Sequence, residues 1–235
     1  MTKRKFNNEQ SKRAIAWVSI LAFFVSFFAP LGGIEKVSAS FEAITGLNTP
    51  VGFDYYNGEV YVAQATPGGS IVKFDSTGTK TDIVTGVHPL AVTVHSDGHL
   101  FYRANSTVYV IKKSELDTRT DTTQPGVELF ASQVQLTGME FHSNGDLYIA
   151  AGTYVWKIPK AKIDTFLADA NQKLIYSDGP GGTTDKIEVV KTLSSPNHPY
   201  DIEFDPNGNL YIVAAEAGRF AKVDRSSLEG VHGLI

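Results

Sequence analysis

One short pattern occurs four times along the chain, and it constrains the fold more than any other feature of the sequence. In each copy an Asn-Gly or Asp-Gly pair is followed, one residue later, by a triplet of apolar and aromatic residues. The glycines are 40, 47 and 63 residues apart: Gly58, Gly98, Gly145 and Gly208. A mean period of about 50 residues is typical of propeller blades and too long for leucine-rich repeats.

Each repeat has the pattern of four short antiparallel strands. Asn-Gly and Asp-Gly favour a hairpin turn in which both residues take a positive φ, so each glycine joins a first strand to a second. A third strand follows at 71–75, 108–112, 154–158 and 220–224, and a fourth at 82–87, 127–130 and 187–190. Because one such sheet cannot bury its own faces, the pattern predicts an all-β propeller of about four four-stranded blades.

The ends of the repeat region are complementary. Residues 42–50 match 82–89, which predicts an outer strand with no blade of its own ahead of it, while the last repeat has only a weak outer strand at 231–235. We expect the first strand to complete the last blade and close the ring, because closure hides strand edges. An insertion at 159–185 predicts a short surface helix and then a flexible loop, either a recognition element or a solvated excursion.

The amino terminus has the features of a secretory signal. Lysines and arginines within residues 3–13 precede an apolar stretch at 14–28, and Val37-Ser38-Ala39 fits a signal peptidase. We therefore expect a signal peptide at 1–39, cleavage after Ala39, a propeller domain at 40–235, and a secreted or cell-surface bacterial protein. The alternative is an uncleaved anchor, in which case the signal segment alone would contact the membrane.

Composition excludes several classes of function. The chain has no cysteine, so thiol enzymes, disulfide scaffolds and Cys-ligated metal sites are excluded. Residues 40–235 carry 15 basic and 23 acidic side chains, a formal charge of −8, which argues against nucleic acid as a partner. The sequence contains no nucleophile elbow, P-loop, dinucleotide fingerprint or HExxH motif.

Residues 199–212, Pro-Tyr-Asp-Ile-Glu-Phe-Asp-Pro-Asn-Gly-Asn-Leu-Tyr-Ile, resemble one unit of the NHL-repeat, SMP-30/gluconolactonase-like and streptogramin-lyase-like propellers. Weaker copies begin at Pro50, Pro89 and Leu136. The resemblance implies a superfamily in which six blades are common, so the four repeats are either a complete small ring or part of a six-bladed propeller. Such propellers serve as lactonases, lyases and binding platforms, so the resemblance implies a fold more than an activity.

A lactonase of the resembled kind would hold a divalent metal in the central channel through oxygen ligands. The candidates at the channel end of the first strands are Asn48, Asn197 and Asp201, a ligand set that suits Ca²⁺ or Mg²⁺. The glutamate that the resemblance requires at the start of the first blade is missing, since Thr49-Pro50-Val51-Gly52 stands there. The alternative is that the three polar residues cap turns.

A lyase of the resembled kind would show a catalytic histidine and an acidic residue after the second strand. Glu216 fits the acidic position in one repeat. His88 and His198 both precede a proline at matching repeat positions, so we expect them at the same end of the ring, where imidazoles bind metals or transfer protons. Shared repeat ancestry explains the same coincidence. The other histidines of the repeats, His95, His99 and His142, are expected to be surface turn residues.

The sequence leads to one leading hypothesis and two alternatives. We expect an exported binding or scaffold module without a complete catalytic set, whose partner is a protein, glycan or small molecule at the propeller mouth. The first alternative is a metal-dependent lactonase or lyase that uses the residues named above. The second is that the chain is the amino-terminal part of a larger surface protein.

Overall fold

The computed structural model describes residues 44–174, 187–192, 198–214 and 218–229. The predicted signal peptide lies outside these residues. Within them the chain forms fifteen strands and three short helices, and none of these helices is long and apolar enough to cross a membrane.

The strands form four antiparallel sheets in which neighbours follow chain order. The first blade is β1 (Pro50–Tyr56), β2 (Glu59–Gln64), β3 (Gly69–Phe74) and β4 (Lys80–Val87). The second is β5 (Pro89–Val94), β6 (Leu100–Ala104), β7 (Thr107–Ile111) and β8 (Val127–Ala131). The third is β9 (Leu136–Phe141), β10 (Leu147–Ala151), β11 (Tyr154–Ile158) and β12 (Glu188–Thr192), and the fourth is β13 (Asp201–Phe204), β14 (Leu210–Ala214) and β15 (Arg219–Val223). The predicted propeller architecture is confirmed.

The four innermost strands, β1, β5, β9 and β13, lie side by side in chain order. Among the strands that the structure describes, β1 packs on β5, and no comparable contact joins β1 to β13. Residues 44–49 form no strand, so the prediction of an outer strand over 42–50 is wrong for this part, and the candidate at 231–235 lies outside the described residues. The described blades therefore form a partial β-propeller.

The aromatic residue of each repeat triplet fills the space between blades. Tyr61, Phe101 and Tyr148 are almost fully buried, whereas the equivalent Tyr211 of the fourth blade is half-buried and stacks on the exposed Phe220. A ring on this face is buried only where another blade packs against it, because a single sheet cannot cover its own surface. The repeat triplet is thus a contact between blades, and its burial ends where the described blades end.

The hairpin turns are of two kinds. In the first blade both Asn57 and Gly58 have positive φ, 51° and 86°, as the two-residue turn requires. In the other three blades only the glycine has positive φ, and at Gly98 its N–H donates to the His95 carbonyl. This pattern matches a longer turn that ends in one left-handed residue. The predicted hairpins between first and second strands are all present, but among these four hairpins the two-residue turn occurs only in the first blade.

A short helix follows the third strand in the last three blades: α1 (Lys113–Leu116), α2 (Lys160–Ala168) and α3 (Arg225–Glu229). The insertion was expected to begin with a surface helix, but Ile163 and Phe166 of α2 are fully buried in the main core. Leu174 then bridges to Phe130 of β8. The first part of the insertion therefore belongs to the packed structure, while its predicted loop lies largely outside the described residues.

Candidate functional site

The innermost strands place acidic side chains at equivalent positions. Asp54, Thr93, Glu140 and Glu203 pair with the repeat aromatics Tyr61, Phe101, Tyr148 and Tyr211. The shared register shows that these four positions are copies of one repeat position. Three of the four blades therefore present a carboxylate from the same level of the innermost strand.

These strands line a cavity of about 540 Å³, a volume in the range of small-molecule sites. The three carboxylates line it, together with Asp201 and the side chains of Arg103, Gln135 and Thr137. Phe53, Tyr55 and Tyr200 also line the cavity, and they are 75%, 66% and 65% exposed. The cavity lining thus combines acidic side chains with exposed aromatic residues.

Hydrogen bonds from the second blade hold Asp54 in place. Its Oδ2 accepts from Thr93 Oγ1 at 3.0 Å and from the Val94 N–H at 2.6 Å. Thr93 occupies the position where the other three blades have a carboxylate. Thr93, the one neutral residue at this repeat position, therefore holds the Asp54 carboxylate in place.

Glu140 has the most perturbed carboxyl group of the site. Partial burial is the main cause, followed by the negative charges of Asp54 and Glu203, and together they raise its pKa to about 8. Desolvation also raises the pKa values of Asp201 and Glu203, although both side chains reach solvent. Carboxylates that lie close together disfavour each other's ionisation. The raised pKa values therefore indicate that the cluster has too little positive charge nearby to balance its carboxylates.

Arg103 is the one cation of this cavity lining. It comes from β6, where it pairs with Ala91, and only 4% of its surface is exposed. Nη1 donates to the Asn105 carbonyl at 2.6 Å, while the buried Nε has no hydrogen-bond partner. Burial lowers the pKa of the guanidinium to about 10, so Arg103 stays protonated at neutral pH.

Close packing between the third and fourth blades positions Asp201. A Cβ atom on Gly138 would meet Asp201 Oδ1 at 2.6 Å, so only glycine leaves room for this carboxylate. Thr137 Oγ1 donates to the Pro199 carbonyl at 2.6 Å and fixes the chain just before Asp201. The acidic group enters the cavity because its neighbour on β9 lacks a side chain.

The predicted ligands and catalysts that the structure describes, Asn48, His88, His198 and Asp201, do not all line the cavity. Asp201 lines the cavity, whereas the exposed Asn48 does not, and Asn197 and Glu216 lie outside the described residues. His88 is half-buried and absent from the cavity lining. His198 is exposed, with Nδ1 3.2 Å from the Gly152 carbonyl oxygen. Within the described part of the chain, no three His, Cys, Asp or Glu side chains are arranged to hold a metal ion.

Two histidines expected at the surface are buried between blades. His95 is 1% exposed and His142 is 4% exposed, and their rings pack edge-on against Phe141 and Phe204 of the following blades. They precede the turn glycine by three residues, so the backbone is at the turn while the side chain points into the blade interface. They are packing residues outside the cavity.

Four residues of the site were not predicted from the sequence: Asp54, Glu140, Glu203 and Arg103. An alignment of the repeats could have shown the three carboxylates. Each lies four or five residues before its turn glycine, depending on the length of the turn. Arg103 gives no such signal, because the equivalent positions in the other blades are occupied by Ala63, Ala150 and Val213.

Solved structures confirm the fold. A protein assigned as a gluconolactonase matches with a TM-score of 0.52 and 15% identity, over 83% of this chain and 64% of that one. An auxiliary nutrient binding protein from Bacteroides thetaiotaomicron matches with a TM-score of 0.51 and 15% identity, over 76% and 39%. A streptogramin B lyase matches with a TM-score of 0.47 and 14% identity, over 75% and 55%.

The likenesses to the gluconolactonase and to the nutrient binding protein, at 15% identity, show the propeller fold alone. The chain spans about half the length of the streptogramin lyase structures that it matches. No protein-family model and no curated protein matches it.

Proposed function

We propose that this chain is an exported β-propeller binding module whose cavity takes a small organic cation. The observation that carries the proposal is the repeated carboxylate: Asp54, Glu140 and Glu203 occupy one repeat position around a cavity of about 540 Å³. A ligand with an ammonium or guanidinium group supplies the positive charge that this cluster lacks.

The exposed aromatic residues of the cavity lining favour an organic cation over a bare metal ion. Phe53, Tyr55 and Tyr200 present accessible rings, and an ammonium group is attracted to the face of an aromatic ring. A single metal ion needs several ligands within bonding distance, whereas the carboxylates here stand on separate strands and no three acidic or histidine groups converge among the described residues. A larger cation contacts both the carboxylates and the rings.

The state of Glu140 couples binding to protonation. With a pKa of about 8, Glu140 is protonated in most molecules at pH 7. A cation beside it stabilises the carboxylate, so binding lowers its pKa and releases a proton. Affinity for the cation should therefore increase as the pH rises toward 9.

Calorimetric titration with hexylamine at pH 8.5 tests the proposal, with hexanol as the uncharged comparison. Hexylamine is expected to bind and hexanol to bind at least tenfold more weakly. The double change Glu140→Gln and Glu203→Gln should weaken hexylamine binding at least tenfold. Glu128→Gln is the matched control, because Glu128 pairs with Lys173 and does not line the cavity. Equal binding of hexylamine by all three proteins would refute the site.

Export is part of the same proposal and rests on the sequence of residues 1–39. The intact mass of the native product, measured separately from cells and from medium, tests it. A species of residues 40–235 in the medium or at the cell surface supports cleavage after Ala39. A species that retains residues 1–39 would favour the uncleaved anchor, and a much heavier one would favour a larger surface protein.

A further inference from the structure

We infer that the ligand is a zwitterion, with its cationic end at the carboxylates and an anionic end, such as a carboxylate, at the Arg103 guanidinium. This inference rests on the proposed function and adds the anionic group and its distance from the cation. It stands on a second observation that is independent of the acidic cluster, the unmatched hydrogen-bonding capacity of Arg103.

Arg103 is a buried cation with little to stabilise it. Its one hydrogen bond joins Nη1 to the Asn105 carbonyl, and the buried Nε donates to nothing. It forms no ion pair within the described part of the chain. A buried charge without a counter-ion is costly, and a guanidinium presents several N–H donors that match a carboxylate. An anionic ligand group would satisfy both needs.

The carboxylates of the cavity do not fill that role. Arg103 pairs with Ala91, whereas the repeat position of the carboxylates pairs with Phe101, two residues further along the innermost strand. Strands rise about 3.4 Å per residue, so the two levels are about 7 Å apart. Asp201 lies at the Arg103 level but in the fourth blade, two blades away from Arg103, and the two form no ion pair.

The separation of the two backbone levels guides the choice of ligand length to test. A molecule whose ammonium and carboxylate groups are about 7 Å apart spans the two levels in an extended form. Unbranched ω-amino acids with five or six carbons have this spacing. Gln135 and Thr137 line the same cavity and add polar surface around the path between the charged ends.

The test is a calorimetric series at pH 8.5 from 4-aminobutanoate to 8-aminooctanoate, each compared with the alkylamine and the alkanoate of the same length. We expect the five- or six-carbon amino acid to bind at least tenfold more tightly than its amine, and the alkanoate to bind weakly or not at all. Arg103→Met should remove this advantage, so that each amino acid binds the variant within twofold of the amine of the same length. Arg103→Lys, which keeps the charge, should restore part of the advantage.

Circular dichroism and melting temperature establish that the Arg103 variants are folded, and the affinities for the amino acid and for its amine are compared within each variant. If every amino acid binds no more tightly than its amine, or if Arg103→Met keeps the advantage, the zwitterion inference is overturned while the cation site stands. If neither amines nor amino acids bind the native protein, the proposed function itself fails.

Discussion

Gly138 and Asp201 lie so close that a Cβ atom on Gly138 would be 2.6 Å from Asp201 Oδ1 and 2.8 Å from Asp201 Cα. These residues belong to the innermost strands of neighbouring blades, so one missing side chain lets the two strands approach. The same approach brings an acidic group of the fourth blade into the cavity. Packing between blades and the chemistry of the site are thus set by one contact.

Gly138→Ala should therefore disturb both stability and binding. The contact is with backbone as well as side chain, so it cannot be relieved by a simple rotamer change, and we expect a loss of roughly 2 kcal/mol in the free energy of unfolding. Gly52→Ala is the matched control at the same repeat position of the first blade, where the nearest atom to a Cβ is 3.5 Å away. Equal effects of the two changes in urea unfolding would contradict this account.

Glu140 should make the protein less stable as the pH rises. Its folded pKa, about 8, lies above its ordinary value of 4.5, so the folded state holds more protons between these values and its stability falls with increasing pH. The pKa shifts of Asp201 and Glu203 act in the same direction. Relative to the native protein, Glu140→Gln should gain on the order of 1 to 3 kcal/mol between pH 5 and pH 9. If the difference in the free energy of unfolding between Glu140→Gln and the native protein is the same at pH 5 and at pH 9, this prediction is wrong.

His95 should make the protein less stable as the pH falls. Desolvation lowers the pKa of this buried imidazole, and the charges that act on it come from Asp97, Lys160 and Asp164. Because the unfolded state takes up a proton more readily, stability is present above the ordinary pKa of about 6.5 and is lost as the pH falls below it. His95→Leu should make the protein less sensitive to the change from pH 7 to pH 5, as urea unfolding at the two pH values would show.

In each of the last three blades, the hairpin between the first two strands caps the helix that follows the third strand. Asp146 Oδ1 accepts from the Lys160 N–H at 2.8 Å, and Asn209 Oδ1 and His99 Nδ1 accept from Arg225 and Lys113 in the same way. Asp146→Ala should cost about 1 kcal/mol of stability, as the loss of a helix cap does, while Asp146→Asn should cost less. A thermal melt of the two variants checks this, with the exposed Asp82→Ala as a control.

Calcium or magnesium should leave the melting temperature within about 1 °C of that without metal. A metal bound only by the folded state would raise the melting temperature, and the increase would grow with the ratio of the metal concentration to the dissociation constant. We expect no such increase at millimolar metal, because Asp201 alone of the described metal candidates lines the cavity. An increase that Asp201→Asn removes would favour the lactonase or lyase alternative over the binding module.

The repeat pattern predicted most of the fold because it carries both the turn chemistry and the alternation of each strand. Gly58 and its equivalents mark hairpins that the structure contains, and the strands at 71–75 and 108–112 are present within one or two residues. The burial of α2 was missed because Ile163 and Phe166 show only that one side of the helix is apolar. Whether that side meets the core depends on a gap between blades that no local pattern reveals.

The site was harder to predict than the fold. The predicted site residues precede the strands, as Asn48 and His88 do, because the resemblance implied ligands at the channel end. The carboxylates stand inside the innermost strands, where alternation predicts only that every second residue is polar. The environment of Arg103 depends on contacts between blades, and these contacts are not visible in a single repeat.

The most direct test of the cation site is the proton that binding releases. We would titrate hexylamine into the native protein at pH 7.5 in two buffers of different ionisation enthalpy. The account predicts that hexylamine binds, that the measured heat differs between the buffers because Glu140 gives up a proton, and that Glu140→Gln removes this difference. Binding with the same heat in both buffers, or no binding by the native protein, would contradict it.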